Sequence, residues 1–144
     1  MNGEIRKTII LENYQNPKNR GLVDDKSYDI IKNDSKTCID QIDLQIKVLN
    51  GIVVDARFAG AACAICTSST SILISLILNK PLSEIDKIID NFVKMINEEE
   101  YDKDILEEAI VYSDISKQPN RKNCALLTWK GLRNYIDDKK NNIF

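Results

Sequence analysis

A chain of 144 residues suits one domain with one core, and its 43% hydrophobic and 29% charged residues are ordinary for a globular protein. A net charge of −2 with scattered basic residues gives no electrostatic case for nucleic acid, and no apolar run reaches the roughly 18 residues of a membrane span. The chain has no histidine, which removes Ser-His-Asp and Cys-His catalysis and histidine zinc ligands from its repertoire.

The first residues lack an apolar signal core, so a cytoplasmic protein is expected, with neither nucleic-acid nor membrane partners. Residues 4–14 read as a short helix with Ile5, Ile9, Ile10 and Tyr14 near one face. Asn16-Pro17-Lys18-Asn19-Arg20-Gly21 stops it, because proline cannot continue a helix and glycine suits a turn. A first strand is expected from Tyr28 to Lys32. Residues 42–58 carry the clearest signal. Ile42, Leu44, Ile46 and Val48 alternate with Asp43, Gln45 and Lys47, one buried face against one wet face. Asn50-Gly51 fits a two-residue turn that needs positive φ at both positions. Ile52, Val54, Ala56 and Phe58 would then face the core on the returning strand.

Ile72 to Leu78 is apolar nearly all round, which predicts a buried helix, with Ser68, Ser69 or Ser71 near its start and Lys80-Pro81 at its end. Ser83-Glu84-Ile85-Asp86 resembles a capping box, and Ile85, Ile88, Ile89, Phe92, Val93 and Ile96 make a helical stripe. Glu98-Glu99-Glu100 reads as a solvated helix end. A short helix near 104–109 and a loop from Tyr112 to Asn120 follow. A last helix begins between Pro119 and Cys124, with Ala125, Leu126, Trp129, Leu132 and Ile136 facing the core. Asp137 to Phe144 reads as a frayed tail on a single domain.

Four cysteines in a chain expected to be cytosolic favour metal or thiol chemistry over structural disulfides. Counting back from Ile42 in steps of two reaches Asp40 and Cys38. Two readings stand. Either the strand persists and turns both toward the core, where a carboxylate is costly unless paired or metal-bound, or it begins at Gln41 and Asp40 is a solvated turn residue. Cys63-x-x-Cys66 is open to three readings: part of a zinc site, a redox pair, or two packed thiols. Cys124 follows Arg121-Lys122-Asn123 near a helix start; Arg121 is either a surface charge or a cation screening a thiolate-rich site. Cys38, Asp40, Cys63 and Cys124 would supply four ligands from three segments, with a local charge of about −2 around Zn²⁺.

The same residues lie in motifs that resemble a known family, the U-type iron–sulfur assembly proteins (NifU N-terminal or IscU-like), and within it the SufU branch. Tyr14-Gln15-Asn16-Pro17-Lys18-Asn19-Arg20-Gly21 is similar to the family's Tyr-x-Asn-Pro-Arg-Asn-x-Gly, and Thr37-Cys38-Ile39-Asp40 to its Thr-Cys-Gly-Asp. Phe58-Ala59-Gly60-Ala61-Ala62-Cys63-Ala64-Ile65-Cys66 resembles Phe-x-Gly-x-Gly-Cys-x-Ile-Ser, and residues 119–129 resemble Pro-x-Arg-x-Lys-Cys-Ala-x-Leu-x-Trp. The resemblance implies zinc on Cys38, Asp40, Cys63 and Cys124, with Arg121 in support. It implies sulfur transfer from a pyridoxal-phosphate cysteine desulfurase (SufS-like) to Cys38, or to Cys124 as second choice, and on to a downstream iron–sulfur scaffold or acceptor protein. The alternatives are a scaffold binding iron or a transient [2Fe–2S] cluster on the same cysteines, and a purely structural zinc protein. The IscU branch places a histidine just before its last cysteine; here that residue is Asn123. Ile39 and Ala62 replace glycines, and Cys66 replaces a serine, which leaves it as a second ligand choice, a resolving thiol, or inert. The expected fold is α+β: a small antiparallel sheet of about three strands, covered by helices on one side, with the metal site at one end of the sheet.

Overall fold

In the computed structural model, which describes residues 1–36 and 39–142, the hairpin seen in the sequence is the centre of a three-stranded antiparallel sheet of order β1-β2-β3. The strands are β1 (Asp29–Asp34), β2 (Gln41–Leu49) and β3 (Ile52–Ala61). Asn50 and Gly51 turn the chain with φ of 53° and 77°, the positive values the dipeptide predicts. The helices are α1 (Gly3–Gln15), α2 (Ala64–Ile77), α3 (Leu82–Ile96) and α4 (Pro119–Asn142), with short 3₁₀ segments at Asp104–Tyr112 and Ile115–Lys117. The architecture is the α+β arrangement expected. No helix among the described residues is long and apolar enough to cross a membrane.

Ile42, Leu44 and Ile46 are fully buried, as their alternation requires. The returning strand departs from its expected phase. A bulge between Lys47 and Val48 pairs Val48 with Val53, while Lys47 pairs with Asp55. One extra residue, Val54, therefore lies on the β3 side, and the inward set becomes Val53, Ala56 and Phe58 rather than Ile52, Val54, Ala56 and Phe58. Gln45, on the expected wet face, is buried because the loop after α1 crosses it. Its amide donates to the Val23 carbonyl at 2.7 Å and accepts from the Val23 amide at 2.9 Å. The same loop closes the free edge of β3: the Gly21 amide bonds the Phe58 carbonyl at 2.7 Å, and the Phe58 amide bonds the Asn19 carbonyl at 3.1 Å. The Asn16–Gly21 stop thus also shields a sheet edge from pairing with another chain.

α2 crosses the middle of the core. It begins at Ala64, so Ser68, Ser69 and Ser71 are mid-helix rather than at its start. Each hydroxyl ties α2 to a neighbour. Ser69 Oγ donates to the Ala125 carbonyl at 2.7 Å and accepts from the Trp129 indole N–H at 2.8 Å. Thr70 and Thr128 hydroxyls meet at 2.8 Å, and Ser71 donates to Asn13 of α1 at 2.8 Å. Trp129 stacks on Phe92 with ring centroids 3.7 Å apart, which joins α4 to α3. α1 buries no residue fully; Ile9 and Ile10 rest on the core, whereas Ile5 and Tyr14 are exposed.

Three boundaries differ from the sequence reading. Pro81, not Ser83, caps α3, and the Ile85 amide bonds the Pro81 carbonyl; Pro81 is held beside the hairpin, where the Leu82 amide meets the Gly51 carbonyl. The segment read as a loop from Tyr112 to Asn120 contains the 3₁₀ turn Ile115–Lys117 and the start of α4. α4 stays helical through Asn142, past the expected fraying at Asp137, with Lys140 3.1 Å from Asp86 and Lys139 3.7 Å from Asp29.

Candidate metal centre

Asp40 sits immediately before β2, where the Ser35 amide closes the β1–β2 connection on the Asp40 carbonyl at 2.9 Å. The strand begins at Gln41, yet Asp40 is 3% exposed, so the inward phase extends one residue past the ladder and the two readings of this residue each hold in part. The end of the hairpin brings Cys63 to it. Gly60, opposite Ile42 in β3, has φ +144°, and a Cβ there would lie 2.0 Å from the Gln41 carbonyl oxygen. Only glycine lets the two strands approach this closely and lets the chain leave β3 toward α2.

Cys63 is the N-cap of α2. Its backbone is extended, and its sulfur accepts from the Cys66 amide at 3.4 Å. Asp40 completes the end of the helix: Oδ1 accepts from the Cys63 amide at 2.7 Å, and Oδ2 lies 3.5 Å from the Cys63 sulfur, which donates to it. A buried carboxylate at a helix N-terminus has its charge favoured by unpaired amides and the helix dipole. Cys124 arrives from the second turn of α4, held in register by the Ser69–Ala125 and Ser69–Trp129 bonds next to it. Ligand atoms of Asp40, Cys63 and Cys124 all lie within 4.8 Å of one another. Burial, with hydrogen bonds to Asp40 and Cys63, pushes the Cys124 thiol well above the ordinary cysteine range.

The donor set suits zinc. With sulfur at about 2.3 Å and oxygen at about 2.1 Å, a tetrahedral ion sets neighbouring sulfur and oxygen atoms about 3.6 Å apart. The Asp40–Cys63 separation of 3.5 Å is of that size before any ion is considered. Three donors from the hairpin, α2 and α4 leave one tetrahedral position for a fourth. Cys38, the fourth ligand implied by the resemblance, lies outside the described residues. Arg121 is exposed, one helical turn before Cys124, and forms no ion pair among the described residues. Cys66 is 0% exposed and belongs to the hydrophobic core rather than to the three-residue cluster.

Tyr112 was legible only as the start of a loop. It is buried with its hydroxyl 2.5 Å from Ser68 Oγ, and burial raises its pKa far above the usual phenol range. Cys66 and Cys63 both act on it electrostatically. Nothing periodic marks it in the sequence, because the contact spans 44 residues, from α2 to the end of the 3₁₀ segment Asp104–Tyr112.

Residues 5–132 match the family described as the NifU-like N terminal domain. The chain is 35% identical over 124 residues to the iron–sulfur cluster assembly scaffold protein IscU of Thermotoga maritima, covering 86% of this chain and 87% of that protein. It is 33% identical over 127 residues to the zinc-dependent sulfurtransferase SufU of Bacillus subtilis, covering 88% and 85%. A crystal structure of a candidate iron–sulfur cluster assembly scaffold protein for the SUF system, from Fervidobacterium islandicum, superposes with a TM-score of 0.84 at 26% identity, covering 91% of this chain and 96% of that one.

Proposed function

The chain belongs to the family of NifU-like N-terminal domains, and from that premise we propose that it accepts persulfide sulfur from a cysteine desulfurase and delivers it to iron–sulfur cluster assembly. Iron–sulfur cluster assembly is common ground between the scaffold and SUF-system relatives. The observation that carries the finer reading is the buried Asp40 carboxylate gathered with two thiols at the capped end of α2. Such a group is costly to bury unless it is paired or metal-bound. The SufU relative's zinc dependence agrees with that donor set.

Cys38, Asp40, Cys63 and Cys124 would hold the zinc ion. When bound, zinc favours the thiolate form of its cysteines at neutral pH. The chain's own residues do the rest. The Cys63 amide fixes the Asp40 carboxyl group at the α2 N-terminus. Cys38 is the acceptor: its thiolate attacks the outer sulfur of the desulfurase persulfide, that S–S bond breaks, and the desulfurase leaves as a thiolate. Arg121, one turn from Cys124, offsets negative charge as sulfur arrives.

A second reading, a scaffold for a transient [2Fe–2S] cluster, draws support from the identity to IscU of Thermotoga maritima. The absence of any histidine, with Asn123 before the last cysteine, favours sulfur transfer. Zinc-loaded protein is expected to accelerate alanine release by an active cysteine desulfurase, and Cys38→Ala to abolish the effect. No acceleration, together with a cluster absorbance after anaerobic iron and sulfide loading that transfers to an apo-ferredoxin, would replace this reading with the scaffold. Loss of folding on chelation without either activity would leave a structural zinc protein and a docking role.

A further inference from the structure

Cys66 is the one cysteine for which the proposed metal centre has no use. Its position relative to Cys63 nevertheless has a chemical meaning. Cys63 is the N-cap and Cys66 the third residue of α2, so the pair spans the first turn on one face. Side chains on a helix lean toward its N-terminus, so positions three apart in the first turn are neighbours. The Cys63 sulfur is drawn over the same turn by the Cys66 amide at 3.4 Å. The two differ in access: Cys63 is half-buried, whereas Cys66 is 0% exposed and enclosed by the core. A half-buried first thiol and a sealed second thiol, three residues apart at a helix start, have the spacing and the difference in access of a nucleophile and its resolving partner. The Tyr112 hydroxyl, anchored by Ser68, stands within electrostatic reach of both sulfurs.

We propose that Cys66 is a resolving thiol that expels sulfide from a persulfide on Cys63. The sulfur source rests on the sulfur-acceptor reading above. Ligand atoms of Cys124 and Cys63 lie within 4.8 Å of one another, and sulfur reaches Cys63 when its thiolate attacks the outer sulfur of the acceptor cysteine's persulfide, whose S–S bond breaks to leave the acceptor as a thiolate. The Cys66 thiol gives up its proton as its sulfur attacks the inner, Cys63-bound sulfur of the persulfide anion. A Cys63–Cys66 disulfide forms, the persulfide S–S bond breaks, and the outer sulfur leaves as hydrosulfide, carrying that proton. The Cys66 sulfur is oxidised and the departing sulfur reduced, so no external reductant enters this step. A cellular dithiol then returns the disulfide to two thiols. The protein thereby releases its cargo as sulfide as well as passing it on as persulfide.

The test uses a chemical sulfur donor, inorganic polysulfide, so that it does not depend on any desulfurase. The intact protein is treated anaerobically, freed of donor, and followed by sulfide release and by non-reducing peptide mapping. Wild type is expected to release about one sulfide per chain without added thiol and to carry a Cys63–Cys66 disulfide, as the stoichiometry of a single exchange requires. Cys66→Ser and Cys66→Ala are each expected to retain the added sulfur until a small thiol is supplied. Circular dichroism of both variants checks folding, and either folded variant suffices. Equal sulfur retention in wild type and a folded variant overturns the proposal, as does a disulfide joining a different pair. A failed desulfurase assay beside successful sulfide release would remove only the sulfur source; the converse would remove only Cys66.

Discussion

The Asp40 carboxylate accepts the Cys63 amide at 2.7 Å with one oxygen and meets the Cys63 sulfur at 3.5 Å with the other. One residue thereby caps a helix and shares a metal-sized gap with a thiol. The arrangement sets stability against binding. Without metal, a buried carboxylate beside two thiols is poorly solvated; with metal, it is a charged ligand. Asp40→Asn keeps an oxygen to accept the Cys63 amide and loses the charge. It is expected to raise the melting temperature of the metal-free protein while weakening zinc binding about tenfold or more, a loss at least as large as that of a metal site's outer-shell partner. Thermal melts of both forms and a competitive zinc titration check this; unchanged zinc affinity would remove Asp40 from the ligand set.

Zinc removal should loosen the junction of hairpin, α2 and α4. At free zinc about a hundredfold above its dissociation constant, binding adds about 2.7 kcal/mol to folding stability. For a chain of this length that corresponds to a rise of roughly 5–10 °C in Tm. Calorimetry before and after chelation, paired with metal analysis, reads the difference, and Cys66→Ser should still bind one zinc per chain. A zinc stoichiometry of zero in a folded Cys66→Ser protein would show that the ligand set is wrong.

Zinc affinity should tighten as pH rises. Burial and neighbouring Asp40 and Cys63 raise the Cys124 pKa, so the metal-free protein keeps that thiol protonated and zinc must displace the proton. The sign reverses for the metal-free fold. A pKa raised on folding contributes stability below the unfolded thiol's own value, and this is lost as pH climbs through the higher folded value. Apparent zinc affinity from about pH 6 to 8, and metal-free melts at alkaline pH, are expected to move in opposite directions. Parallel trends would contradict the protonated state of Cys124.

Two glycines should respond differently to alanine. At Gly60 the new Cβ meets backbone, 2.0 Å from the Gln41 carbonyl oxygen, at a φ of +144°. At Gly131 it meets a side-chain end, Asn33 Oδ1, at 1.7 Å. Gly131→Ala is expected to cost about 1–3 kcal/mol and to be partly rescued by Asn33→Ala. Gly60→Ala should cost more and also weaken zinc binding, since Gln41 adjoins Asp40. Urea unfolding of the four proteins tests the order; equal costs would show that the hairpin end yields easily.

Ser69→Ala leaves the buried Trp129 indole N–H and the Ala125 carbonyl without their shared hydroxyl. A loss of about 1–3 kcal/mol is expected, and Trp129→Phe in the same background should show strong non-additivity. Because Ala125 adjoins Cys124, Ser69→Ala should also lower zinc affinity. Additive losses in the double-mutant cycle would argue against a shared hydrogen-bond junction.

Much of this architecture was legible in residue order. Period-two alternation through Ile42, Leu44 and Ile46, the Asn50-Gly51 turn and the helical stripe from Ile85 to Ile96 are local patterns, and local backbone geometry suffices to read them. The family, too, was legible, because its motifs are short and ordered along the chain. The phase of β3 was not: one bulged residue at Val54 turned the alternation over, and a bulge answers to pairing with another strand. Nor was the burial of Gln45, which depends on a loop 22 residues away.

The cysteines divide along the same line. Sequence by itself determined which residues could do metal and sulfur chemistry, and excluded histidine from it. Only the tertiary structure decided that Asp40 is buried, that Cys63 rather than a serine caps α2, that Cys124 joins them, and that Cys66 turns into the core. The reason is physical. Thiols and carboxylates have no pattern of their own; their chemistry depends on what lies within a few ångströms, and that is set by strands and helices tens of residues apart.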